Sequence, residues 1–302
     1  MVLLRCVSWL FVVGLLTGPN AWAQPFGPVS AEAEPARQQQ WLVPSTLADH
    51  PSRALLYRPS GDGPFPLALI AHASTQNALR RAQLPQPSYT ALARELVARG
   101  YAVLVPERLG HGGTGGPYVE DQGDCADPNY EKAGRATAAE ILRALAFMRE
   151  QSFVAKGGAV IIGHSAGGLG ALALADQSPR TIAAIVAFAP GRGGHADDVP
   201  GRVCAEPRLR DAISVFGRNA RVPVTWLLAA NDSYFPPDLS QRLAATFQAS
   251  GARVSFSVLP ATGDDGHWLI ERDDGVKSAA ASLAGALAAP PIYRSAHRKQ
   301  HN

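Results

Sequence analysis

Three residue types that together can activate a hydroxyl occur along the chain in the order serine, aspartate, histidine. Ser165 stands in the run VIIGHSAGGLG (160–170), with Gly163 and Gly167 two residues away on either side. The branched apolar residues before it read as a buried strand and residues 169–175 after it as a helix. A side chain at such a turn is forced into a strained backbone conformation that only small neighbours tolerate. The pattern G-x-S-x-G is that of a nucleophile elbow, which lifts a hydroxyl to the tip of a sheet beside the free N–H groups of a helix N-terminus. A capping serine in a tight turn is the plainer reading, but an N-cap does not require glycine on both sides.

A serine hydroxyl is a weak nucleophile at neutral pH and needs a base, with a carboxylate to orient that base. Asp232 follows the apolar run VTWLLAA, at the carboxyl end of a predicted strand, and His267 lies in the loop ATGDDGHWL after the next run, VSFSVLP. Competing acids are Asp264 and Asp265, in the histidine's own loop, and Asp197 and Asp198, after IAAIVAF; competing bases are His72, His111, His164 and His195. Asp232 is preferred because it follows its strand most directly. His164 adjoins Ser165, where the chain direction turns its ring away from the hydroxyl, and is read as a packing residue. Tyr234, Phe235 and Trp268 flank the two loops and are candidates for the pocket wall or for the core.

The elements that must hold these residues alternate. Short apolar runs at 67–71, 101–105, 159–162, 182–188, 224–228 and 254–258 are separated by stretches of helical periodicity at 89–98, 130–149, 240–249 and 276–287. Runs apolar on both faces, repeated this often, predict the α/β class: a mainly parallel sheet with helices on both faces and the site outside the carboxyl ends of the strands. The segment from Pro190 to Pro207 is too short for a large lid domain. The glycine-rich loop PERLGHGGTGG (106–116) reads as a flexible turn beside the site and not as a phosphate cradle.

With 302 residues, 46% hydrophobic and 18% charged, the chain has the means to bury a large single core. A net charge of +3 without a basic face argues against nucleic-acid binding. Residues 1–23 have the layout of a cleaved signal peptide: a basic Arg5, an apolar stretch too short to anchor in a bilayer, and small residues at Ala21 and Ala23. Residues 24–40 are expected to be a flexible leader, 41–289 the catalytic domain and 290–302 a disordered basic tail. Export to the periplasm or the medium follows, and in an oxidising compartment Cys125 and Cys204, the two thiols left after cleavage, are expected to pair near the site's rim.

The elbow GHSAGG, the order of Ser165, Asp232 and His267, and alternating elements over residues 54–287 resemble the α/β-hydrolase superfamily. Within it, LIAHAS, GHSAGG and GDDGHWL look most like the dienelactone-hydrolase-like and platelet-activating-factor-acetylhydrolase-like branch. Serine stands where true dienelactone hydrolases use cysteine, so their substrate does not transfer. The resemblance implies an oxyanion hole from the backbone N–H groups of Ser74, in His72-Ala73-Ser74, and Ala166; Ala73 replaces the usual glycine. The expected function is serine hydrolysis of a small-molecule or polymeric carboxylic ester. A serine peptidase of the same superfamily, suggested by Gly168, and a non-catalytic binding protein of this fold are the alternatives. No metal set or cofactor motif occurs, and no partner or oligomeric state is legible.

Overall fold

The computed structural model describes residues 26–177 and 179–288; the predicted signal peptide and basic tail lie outside them. At its centre is a nine-stranded sheet in the order β1-β2-β3-β5-β4-β6-β7-β8-β9. β4 (Leu67–Ala71), β5 (Ala102–Pro106), β6 (Ala159–His164), β7 (Ile182–Phe188), β8 (Val224–Ala229) and β9 (Val254–Leu259) run parallel. β1 (Gly27–Pro28), β2 (Gln39–Val43) and β3 (Ser52–Tyr57) join antiparallel at one edge.

The period-2 geometry of a strand sorts the buried side chains between two cores. Leu69, Ile161, Ala187 and Trp226 face one, where α3 (Tyr130–Arg149), α4 (Ala166–Gln177), α5 (Glu206–Gly217) and α6 (Pro237–Ala249) pack. Ile70, Ile162, Val186 and Leu227 face the other, against α2 (Thr90–Ala98) and α7 (Asp273–Leu287). Both faces of β4 to β8 are therefore covered, which is why their sequences are nearly continuous apolar runs, whereas the edge strand β9 alternates valine and phenylalanine with serine and is only partly buried. α4 is buried on every side from Ala166 to Ala175, so it lacks the one-sided stripe of a surface helix.

The chain moves outward from β4 to β5 and then returns across β4 to β6, so the order reverses between β4 and β6. A crevice opens at such a switch point, outside the carboxyl ends of the strands. The turn after β4 carries Ser74 and the turn after β6 carries Ser165, on the two sides of that crevice.

Two features differ from the sequence expectation. Much of the segment 24–40, read as a flexible leader, is ordered: Gly27 and Pro28 pair with Leu42 and Trp41, and Val29 N–H donates to Gln40 C=O at 2.8 Å. Backbone pairing supplies there what composition does not signal. α5 and the short α1 (Ala78–Ala82) were not anticipated; α5 begins Glu206-Pro207 and sets arginine on either side of its buried Leu209. Cys125 and Cys204 form the expected disulfide, with Cα atoms 4.8 Å apart. No helix of the described residues is long and apolar enough to cross a membrane.

Candidate functional site

Ser165 sits between β6 and α4 with φ of 53°, a left-handed conformation that costs free energy in any residue with a Cβ. Its N–H donates to Phe188 C=O at 2.9 Å, and its own C=O accepts from Leu169 and Gly191 N–H at 3.0 and 3.1 Å. The flanking glycines are required by contact. A Cβ on Gly163 would lie 2.5 Å from Gly167 O, and one on Gly167 would lie 2.1 Å from Ala71 O. Gly167→Ala must therefore push α4 off β4; the expected loss is about 1–3 kcal/mol or more of stability, read as a lower urea midpoint.

Asp232 and His267 arrive from the turns after β8 and β9 and are both buried. His267 Nδ1 lies 3.2 and 3.1 Å from the two oxygens of Asp232. Asp232 Oδ1 also accepts the N–H groups of Tyr234 and Phe235, each at 2.9 Å, so the carboxylate is fixed before the imidazole meets it. Asp265 serves another purpose: it accepts Ser233 N–H at 3.1 Å, Ser233 Oγ at 2.6 Å and His267 N–H at 3.0 Å. It thereby clamps the acid loop to the histidine loop. Partial burial alone would raise its carboxyl, but these donors hold it below the usual carboxylate range. Asp197 pairs instead with Arg202 at the surface.

The turn after β4 is braced from the glycine-rich loop. His72 donates from Nδ1 to Ala73 C=O at 2.6 Å and accepts Arg108 N–H at Nε2, 3.1 Å away. Burial, with the charge of Arg108, keeps it well below the usual histidine range and therefore neutral. His111 donates from Nδ1 to the carbonyls of Arg108 and Leu109 and accepts Ser74 Oγ at 2.7 Å. Burial pushes it down to about 4. Tyr118 Oη reaches Ser74 Oγ at 3.2 Å and accepts Arg192 Nη1 at 2.7 Å. Beneath them, the fully buried Glu120 is bonded by both Arg108 and Arg192. Burial alone would raise this carboxyl; the two guanidiniums hold it far below the ordinary range instead.

Glu120→Gln strands two buried cations, and a cost of about 3–5 kcal/mol is expected by chemical denaturation. Because the folded-state pKa is depressed, the wild-type contribution is fully present above the unfolded value of about 4.3 and declines as pH falls below it. The mutant's stability deficit should shrink correspondingly in acid.

Ser165, His267 and Ser74 open on one cavity of about 790 Å³, whose wall includes Tyr234, Trp268 and Arg192. Tyr234 is stacked between the rings of His267, 4.2 Å away, and His195, 3.8 Å away. Trp268 is 38% exposed at the cavity, whereas Phe235 touches the cavity but is buried in the core. Ala166, also buried, is the first residue of α4. The disulfide cysteines both reach the cavity wall.

Residues 57–286 match the model of the dienelactone hydrolase family. The chain belongs to the dienelactone hydrolase family. Solved structures share the fold at low identity. A putative dienelactone hydrolase from Klebsiella pneumoniae superposes with a TM-score of 0.56 at 16% identity, covering 83% of this chain and 98% of that one. Est1E from Butyrivibrio proteoclasticus, solved with ferulic acid, gives 0.56 at 18% identity, covering 82% and 99%. An acylaminoacyl peptidase from Pyrococcus horikoshii gives 0.57 at 12% identity, covering 88% of this chain and 43% of that one. No curated protein shows significant sequence similarity.

Membership in the dienelactone hydrolase family makes the chain a hydrolase of the α/β-hydrolase fold, as the resemblance implied. Tyr118, Glu120 and Arg192 were missed in the sequence, and His111 was noted only as a competing base. The signal available was the polar trio Glu107, Arg108 and His111 directly after a buried strand, which is unusual for a plain turn.

Proposed function

We propose that the protein is an exported serine hydrolase that cleaves carboxylic esters through an acyl-enzyme. The observation that carries this reading is the buried Asp232–His267 pair, 3.1 Å apart, with His267 and the strained Ser165 opening on one cavity. Ser165 Oγ attacks the ester carbonyl while His267 Nε2 takes its proton; the oxyanion is held by the N–H groups of Ser74 and Ala166. Collapse expels the alcohol, which receives the proton from His267. A water molecule, activated by the same imidazole, then releases the acid. Asp232 holds Nδ1–H toward itself, leaving Nε2 bare for the serine proton. Tyr234 and Trp268 line the acyl or alcohol side of the cavity. The disulfide supports export, since such bonds persist in oxidising compartments.

The ester reading is tested by comparing p-nitrophenyl acetate, butyrate and octanoate with an aminoacyl p-nitroanilide. Faster turnover of the esters is expected, with the profile reporting the pocket's length. Faster turnover of the anilide would favour the peptidase reading, to which Gly168 after the elbow also belongs.

A further inference from the structure

His164 and Tyr89 take no part in the steps above, yet they hydrogen-bond to two of the turns that make up the site and adjoin a third. Tyr89 Oη accepts the N–H of Ala73, the residue before Ser74, at 3.1 Å and lies 2.9 Å from His164 Nδ1. His164 Nε2 lies 2.7 Å from the carbonyl oxygen of His267. His164 directly precedes Ser165. We infer that Tyr89 and His164 form a positioning strut that fixes the His267 imidazole and the Ser74 turn relative to Ser165, an inference that rests on the serine-hydrolase reading above.

The direction of every bond in the strut is determined. A carbonyl oxygen only accepts, so His164 Nε2 carries a hydrogen. The ring is fully buried, and burial, with the neighbouring His267, pushes it down to about 3, so it is neutral and Nδ1 is bare. Tyr89 Oη must then donate to Nδ1, which leaves its lone pairs for Ala73 N–H. The acidic neighbour Glu271 has an oxygen 3.9 Å from Nδ1, too far for a hydrogen bond, and burial raises its carboxyl. Ala73 N–H, Tyr89, His164 and His267 C=O thus form one unidirectional chain without a free end in the buried interior.

Two further observations separate the strut from ordinary packing. Tyr89 is held at φ of 47°, a strained conformation for a residue with a large ring, and that conformation stands at the start of α2. The His164 ring also packs at 5.0 Å from the His267 ring and edge-on to Trp268 at 5.4 Å. His267 is consequently held at its carbonyl by His164, at its N–H by Asp265 and at Nδ1 by Asp232, which leaves Nε2 for chemistry. Because the Ala73 amide is engaged by Tyr89, the next amide, that of Ser74, is the one assigned to the oxyanion.

Tyr89→Phe keeps the ring and removes the link. Sites are counted by fluorophosphonate titration and turnover of p-nitrophenyl butyrate is expressed per titrated site, so that partial misfolding does not enter. The expected result is a fall in kcat of about 10- to 100-fold with KM within about twofold, the size that displacement of a catalytic group by about 1 Å produces. Two isosteres divide the strut: His164→Gln retains a donor where Nε2 stood, and His164→Asn retains an acceptor where Nδ1 stood. Gln should keep more of kcat than Asn, because the bond to the His267 carbonyl is the one that places the base. Unchanged kcat per site in Tyr89→Phe, or equal kcat in the two isosteres, would overturn the inference. A readout independent of activity is long-range imidazole 15N NMR of the wild type. It should show His164 as the Nε2–H tautomer with Nδ1 hydrogen-bonded, the latter signal moving in Tyr89→Phe; an Nδ1–H tautomer contradicts the strut. A wild type inert to fluorophosphonate would instead defeat the serine-hydrolase reading itself, while the NMR result would still decide the strut.

Discussion

Ser165→Ala is expected to reduce kcat/KM for p-nitrophenyl esters by a factor of about 10⁴ or more, the scale set by nucleophile deletions in serine hydrolases. Its thermal midpoint is expected to stay close to the wild type's. Alanine carries the same Cβ into the φ of 53°, so the backbone strain is unchanged, and the bonds that fix the elbow use only the main chain of residue 165. Circular dichroism melting beside initial rates separates the two effects. A variant that retained more than about a tenth of the activity would mean that another group carries the attack.

Asp232→Asn is the second large effect, a loss of about 10⁴ in kcat, and the reason lies in which oxygen is already occupied. Oδ1 accepts the N–H groups of Tyr234 and Phe235, so the asparagine carbonyl oxygen takes that position and its amide is turned toward His267. An amide donor at about 3 Å from Nδ1 selects the tautomer protonated at Nε2, which has no lone pair for the serine proton. Asp265→Asn provides the contrast. That carboxylate holds Ser233 and the His267 amide but does not meet the imidazole ring, so a loss of about 10-fold is expected, mainly in kcat. The same ranking of acids, measured by steady-state rates at fixed pH, distinguishes the residue that orients the base from the one that ties its loop. Equal losses in the two variants would contradict that division.

The inner parallel strands were legible because burial on both faces leaves continuous apolar runs. The runs 67–71 and 182–188 coincide with β4 and β7, and 130–149 coincides with α3. Ser165 was legible because its glycines answer a local steric demand, and local demands leave local signals. What the sequence withheld was contact between distant positions. Ser74 is braced by His111 and Tyr118, 37 and 44 residues further on, and Tyr89 bonds to His164 across 75 residues. No periodicity encodes such meetings, so His164 read as a packing residue although both ring nitrogens are bonded. The antiparallel edge was hidden for a related reason: pairing with β2, and not composition, orders residues 27 and 28.

The central claim is that Ser165 is a nucleophile activated by His267 and Asp232. Its most direct test is to treat the purified protein with a fluorophosphonate and locate the adduct by peptide mass spectrometry. One phosphonyl group per chain on the peptide containing GHSAGG, at Ser165, absent from Ser165→Ala and slowed by several orders of magnitude in His267→Ala, is the predicted result. A folded wild type that takes up no label, or label on another residue, would contradict the account.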